Sequence, residues 1–345
     1  MSDGWSVARA LTDPGSVAGL DPTGWTHLLS AARALSLIGT LAEVLADAPV
    51  PPDVTRVLAD VRHSNVAGQR QALWEAECAA MALADYPGKV VLLKGTAFAA
   101  AGYDAALGRS IGDLDILVER AGLDQVEALL LKAGWEWVKP DPYDDAYYRQ
   151  WMHELPPLIH ATRDRMIDVH HTILPLTAGP RPDAAALIAS ARLLPSGLYV
   201  LSPADIICHA AAHLIADGDL SGGMRNLWDI DRLVRQFVVE EPGFSETLAE
   251  RARLHGLSDA VGRALRLSAQ LYGTPIMFLR PDRARNTAHA SDMLFLRRIT
   301  AVDGWGRKTR KLTRQGFYIR SHLLRMPPAM LARHLWTKWR KGHRG

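Results

Sequence analysis

Cysteine is nearly absent from this chain of 345 residues, with only Cys78 and Cys208 present. Two thiols cannot staple a small disulfide-built fold, and neither sits at a metal-binding spacing, so a reducing cytoplasm is the expected setting. Long apolar runs are missing too: no stretch approaches the roughly 20 uninterrupted apolar residues that cross a bilayer. The first 25 residues lack the basic start and apolar run of a secretion signal. Acids are scarce near the end. Residues 280–345 hold 17 Lys and Arg against Asp282, Asp292 and Asp303, whereas the rest of the chain is net acidic. What is present is ample for a core, since 48% of residues are apolar and 22% charged. That balance excludes a disordered or fibrous chain, and the length suggests two or three compact units.

The texture of the sequence changes twice. Over 26–85 apolar residues recur at three- and four-residue steps among many Ala and Leu, which predicts helices, with a break and restart at Pro51-Pro52-Asp53. Over about 87–175 short aliphatic runs alternate with helical ones. Lys89–Lys94 is a strand stopped by Gly95, Ala97–Ala101 a short helix and Leu114–Val118 a second strand. Asp124–Ala133 is an amphipathic helix, Trp135–Lys139 a third strand, and Leu155–Ala161 and Met166–His171 are extended. After Ala178-Gly179-Pro180 helices are expected again. The first opens at the Ser202-Pro203 cap and runs to about Ala216, and others cover 224–238, 244–254, 257–272 and 290–300. The expected organisation is α+β: an N-terminal helical segment over 1–86, a mixed-sheet domain over 87–178, and a C-terminal all-helical domain with a basic tail over 179–345.

One stretch, residues 92–118, carries chemistry. Asp113 and Asp115 stand two apart at the start of a strand, so period-two geometry turns both carboxylates to one side while Leu114 and Ile116 face inward. Two like charges so close call for a cation, and hard oxygen ligands on a rigid strand suit Mg²⁺. Asp168, in the same apolar–acid–apolar context, is the candidate third ligand. Alone, an Asp-x-Asp at a strand end is also common turn or capping chemistry, and Asp168 also fits an exposed strand residue. Gly95-Thr96 lies where a strand feeds a helix, a place where free backbone N–H groups attract phosphate. Lys94 fits either a solvated strand end or a phosphate partner.

Other residues stay open between two readings. His170, two on from Asp168, shares its side of the strand and is placed to orient an acceptor or a carboxylate. His209 and His213, at i and i+4, can hold zinc, but no third soft ligand is near in sequence, so packing or a bond toward the cleft is the better fit. Arg225 and Asp229 form either a plain helix-face ion pair or a latch on a nucleotide cleft. The basic end, with Leu335, Trp336 and Trp339 among Arg333, Lys338, Arg340 and Lys341, reads first as a solvated helical face. A nucleic-acid surface or an interfacial membrane helix are the alternatives.

Together these segments resemble the polymerase-β-type nucleotidyltransferase superfamily. They are most similar to its uncharacterised bacterial branch, in Leu93-Lys94-Gly95, Arg109-Ser110-Ile111-Gly112-Asp113-Leu114-Asp115 and Ile167-Asp168-Val169-His170. His209, His213, Arg225 and Asp229 extend the likeness, which spans about 88–275. The chain departs from the wider superfamily in Gly95-Thr96 and in the longer gap before the first acid. The resemblance implies that Asp113, Asp115 and Asp168 hold two Mg²⁺ ions, with Asp168 also helping to deprotonate the acceptor. Gly95, Thr96 and Gly112 would then meet the nucleotide, and Lys94 and Arg109 neutralise phosphate. It further implies transfer of a nucleotidyl group, AMP from ATP or another NTP, to a hydroxyl on a peptide, protein or small molecule. By analogy with gene neighbourhoods of similar proteins, a ribosomal peptide of lasso type is one such acceptor. Two other outcomes remain: a non-catalytic module binding nucleotide or a partner, and a phosphotransferase using the same metals.

Overall fold

The computed structural model describes residues 3–216, 218–275, 290–325 and 331. The chain begins with helices α1 (Asp3–Thr12), α2 (Pro22–Ala34), α3 (Ile38–Val44) and the long α4 (Pro52–Ala82). Asp21 caps α2 by accepting from the Gly24 N–H at 2.7 Å, and Pro52 opens α4 at the expected break. The α/β part follows with β1 (Val91–Leu92), α5 (Lys94–Ala100), β2 (Leu114–Leu117), α6 (Leu123–Lys132), β3 (Trp135–Trp137), α7 (Pro142–Trp151), β4 (Leu158–His160) and β5 (Met166–His170). Then come α8 (Ala184–Ala189), β6 (Arg192–Leu193), β7 (Tyr199–Val200), α9 (Pro203–Ala211), α10 (Gly223–Glu240), α11 (Phe244–Leu254), α12 (Ser258–Tyr272), α13 (Ala290–Ile299) and α14 (Lys311–Arg325).

The architecture is α+β, as the sequence texture predicts. One seven-stranded mixed sheet runs β3-β4-β5-β2-β1-β7-β6. At its centre β2 lies parallel to β5 and antiparallel to β1. One face of this central pair is apolar: Leu114 and Ile116 of β2 and their register partners Ile167 and Val169 of β5 are all at most 4% exposed. Helix α4 packs on α3, α5, α6 and β2, while α9, α10, α11 and α12 pack together on the other side of the chain. Helix α1 rests on α12, so the two helical ends of the chain meet. There Gly4 touches the backbone of Thr300, where a Cβ would lie 2.8 Å from its Cα.

Three elements differ from the sequence reading. The sheet does not stop near residue 178: β6 and β7 form a hairpin whose second strand pairs in parallel with β1, within a region expected to be helical. Two-residue strands show no alternation to read, and their turn depends on Gly197 at φ +81°. The expected division at 178/179 therefore passes between strands of one sheet. Helix α7 was not expected because its own pattern is weak. It is fastened through Arg149, which bonds Asp145 on the same helix and Glu127 on α6, each at 2.8 Å. Finally, the helix expected to reach Ala216 is α-helical only to Ala211 and continues as a π-helical turn over 212–216. Both cysteines are unpaired, and no helix among the described residues is long and apolar enough to cross a membrane. The basic residues from Arg333 onward lie outside the described residues.

Candidate active site

The β2–β5 register places Asp115 directly opposite Asp168. Asp113 stands on the bend one residue before β2. Adjacent parallel strands thus face Asp115 to Asp168 although 53 residues of chain separate them. Asp115 is buried and Asp168 half-buried, forming a two-acid ledge, and Asp113 is exposed.

The carboxylates differ in how they are satisfied. Lys94 Nζ donates to Asp115 Oδ1 at 2.6 Å, and His170 Nε2 reaches the same oxygen at 3.0 Å. A carboxylate only accepts, so His170 carries its proton on Nε2. Burial alone would raise the Asp115 pKa, but the His170 bond and the Lys94 charge outweigh it and hold the group well below the ordinary carboxylate range. No described residue bonds Asp115 Oδ2 or hydrogen-bonds the carboxylate of Asp168. Burial, then the charges of Asp115 and Glu154, push Asp168 up to about 7. A hard-oxygen face with one ionised acid beside another that resists ionising fits a divalent cation, which would relieve the repulsion directly.

Lys94 reaches Asp115 at a conformational cost. Its φ is +51°, a region that disfavours residues with a Cβ by about 1–2 kcal/mol. It follows the end of β1 directly, where the Leu93 N–H donates to the Asp115 carbonyl at 2.9 Å. Gly95 and Thr96 follow in the first turn of α5 and are buried. A Cβ on Gly95 would stand 2.7 Å from Arg109 Nε, so the glycine makes room for that guanidinium. Gly112 is exposed beside Asp113, and both line a narrow cleft with Thr96.

Arg109 is fixed from behind. Its Nη1 bonds Asp229 Oδ2, and Arg225 Nε donates to Asp229 Oδ1 at 2.8 Å. Arg225 also bonds Thr40 Oγ1 and, at 3.3 Å, the Ala105 carbonyl. The i, i+4 pair of α10 is therefore one part of a buried network tying α10 to α3 and to the segment that carries Arg109. Arg109 Nε is buried and makes no hydrogen bond.

Of the helical histidines, His209 lies close enough to Lys94, His213, His170 and Asp115 to feel their charges. Burial and the Lys94 charge hold it well below the usual imidazole range. His213, on the π-helical turn, approaches Asn226, with 3.4 Å between Nδ1 and Nδ2. The structure also brings in two residues that sequence reasoning passed over. Glu154 Oε2 is 3.4 Å from His170 Nδ1, and His153 Nε2 is 3.6 Å from the same oxygen. Neither residue sits in a motif; only the bridge pairing Glu154 with His170 places them here.

A family model described as an uncharacterised nucleotidyltransferase matches residues 21–273. No curated protein matches the chain. The matched span takes in α2 through α12, including all seven strands, the three carboxylates, Lys94, Arg109 and the α10 network. The chain belongs to this nucleotidyltransferase family.

Proposed function

We propose that the chain transfers a nucleotidyl group, AMP from ATP as the first donor to test, to a hydroxyl of a peptide, protein or small molecule. The observation that carries this reading is the register of β2 on β5, which puts Asp115 opposite Asp168. Asp113, Asp115 and Asp168 would hold two Mg²⁺ ions. When bound, such ions neutralise the triphosphate and stabilise charge on the entering and leaving oxygens.

The protein's own residues supply the rest. The acceptor oxygen attacks the α-phosphorus in line, its proton leaves, and the bond to pyrophosphate breaks. Asp168, the less buried acid of the facing pair, is the group assigned to help take that proton. Lys94 keeps Asp115 ionised and oriented. Arg109, steadied by Asp229, places a positive charge beside Gly95 for phosphate oxygens. His170 fixes the rotamer of Asp115. His209, buried on α9 near Lys94, adds no charge of its own.

The test follows the phosphorus. Full-length protein with Mg²⁺ and ATP labelled at its α-phosphate should release pyrophosphate and retain label on acceptor or as AMP. Asp115→Asn should abolish both. Release of inorganic phosphate with γ-label transfer would favour a phosphotransferase instead. Tight Mg²⁺–ATP binding with neither product would leave a binding module.

A further inference from the structure

We propose that His153, Glu154 and His170 form a second, separate metal site, for one borderline transition-metal ion of zinc-like chemistry. This inference does not rest on the nucleotidyl-transfer reading. One donor atom from each residue lies within 4.8 Å of the other two. The shared oxygen, Glu154 Oε2, is 3.4 Å from His170 Nδ1 and 3.6 Å from His153 Nε2. Both separations exceed a good N–H···O bond of about 2.9 Å. They match instead the roughly 3.3 Å edge between ligand atoms set about 2.0–2.1 Å from one tetrahedral ion.

Three further observations support it. His170 is 2% exposed, yet its Nδ1 is buried and makes no hydrogen bond while pointing at Glu154. Its other nitrogen, Nε2, is already committed to Asp115 Oδ1 at 3.0 Å. A carboxylate behind a histidine is the arrangement that fixes the tautomer and strengthens the free nitrogen as a ligand. Lastly, the backbone holds the set rigidly. The Leu155 N–H donates to the Val169 carbonyl and the His171 N–H to the His153 carbonyl, both at 2.9 Å.

The donor set distinguishes this site from the aspartate ledge. Two imidazoles and one carboxylate suit Zn²⁺ or Co²⁺, whereas the all-oxygen ledge suits Mg²⁺. Three protein ligands leave a fourth position for water or a ligand atom. An ion here would stand one imidazole away from Asp115 and lock the histidine that orients it.

The test uses Co²⁺ as the probe on chelator-stripped, full-length protein in excess Mg²⁺, which occupies oxygen-only sites. One equivalent should bind, with visible d–d bands of four-coordinate intensity, and Zn²⁺ should displace it. His153→Ala and Glu154→Gln should each weaken Co²⁺ binding at least tenfold, with circular dichroism unchanged, and Asp168→Asn should leave it intact. Absence of a Co²⁺ band in Mg²⁺, binding unchanged in both ligand variants, or loss of binding in Asp168→Asn would each overturn the proposal. None of these readouts depends on nucleotidyl transfer.

Discussion

Two aspartate sites in this protein are built in opposite ways. Asp205, at the start of α9, is fully buried and surrounded by donors. Arg251 gives it two bonds at 2.7 Å, Ser190 and Ser202 one each at 2.7 Å, and His255 one at 3.1 Å. Burial raises its pKa, but these bonds win and hold it at about 2. Asp168 has no described donor, faces Asp115, and sits at about 7. Asp205 joins α8, α9 and α11, so its charge is spent on the fold. Asp168 leaves its charge unsatisfied beside another carboxylate, an arrangement that costs stability and that a bound cation and substrate would relieve.

The sharpest way to break this contrast is by activity. Asp115→Asn should lower Mg²⁺-dependent pyrophosphate release on the order of 1,000-fold, whereas Asp205→Asn should leave the rate per folded molecule unchanged. Equal losses in both variants would erase the distinction.

Stability should move the other way. Asp205→Ala strands Arg251 and His255 and should cost about 3 kcal/mol in urea unfolding. Asp168→Asn, in chelator at pH 8, should stabilise the protein by removing a repelled charge. A destabilised Asp168→Asn would mean the carboxylate is part of the structural framework.

The pH dependences should also have opposite signs. Asp205 has a folded pKa below its ordinary 3.8, so the unfolded chain binds more protons between about 4 and 2. Its contribution of roughly 2 kcal/mol is complete above that window and lost as pH falls through it. Asp168 has a folded pKa above 3.8, so the folded chain binds more protons between about 4 and 7. Its effect is falling stability as pH rises across that window, and saturating Mg²⁺ should suppress the fall. Melting curves from pH 5 down to 2 measure the first, and curves with and without Mg²⁺ at pH 5 and 8 the second; a Mg²⁺-independent slope would argue against cation binding at Asp168.

The smallest expected effect lies in the network behind Arg109. Asp229→Asn loosens the guanidinium and should raise the KM for ATP about tenfold with little change in kcat, since it orients a ground-state contact. Gly95→Ala should act in the same direction, because its Cβ would lie 2.7 Å from Arg109 Nε. A drop in kcat alone would place Arg109 at the transition state rather than in binding.

Much of this was legible in local pattern. The apolar–acid–apolar pattern in Leu114-Asp115-Ile116 and in Ile167-Asp168-Val169 located the two strands that carry the facing acids, and the Ser202-Pro203 cap located α9, because both signals act within a few residues. The Arg225–Asp229 pair was visible as a helix-face ion pair. Its bonds to Arg109 and Thr40 were not, since those partners lie 120 and 185 residues away from their bonding partners in the chain. Helix α7 and the β6–β7 hairpin escaped for the same reason, being fixed by contacts from elsewhere rather than by their own pattern.

By itself the sequence determined the α+β class, the strands that carry the acids and the family motifs around them. These follow from periodicity and residue chemistry, which neighbouring residues express on their own. Only the tertiary structure decided that β5 rather than another strand lies beside β2, that Lys94 bends back onto Asp115, and that His153 and Glu154 come up against His170. Sheet order is a choice among distant pairings, settled by burying the whole core at once, and no local stretch of sequence contains it.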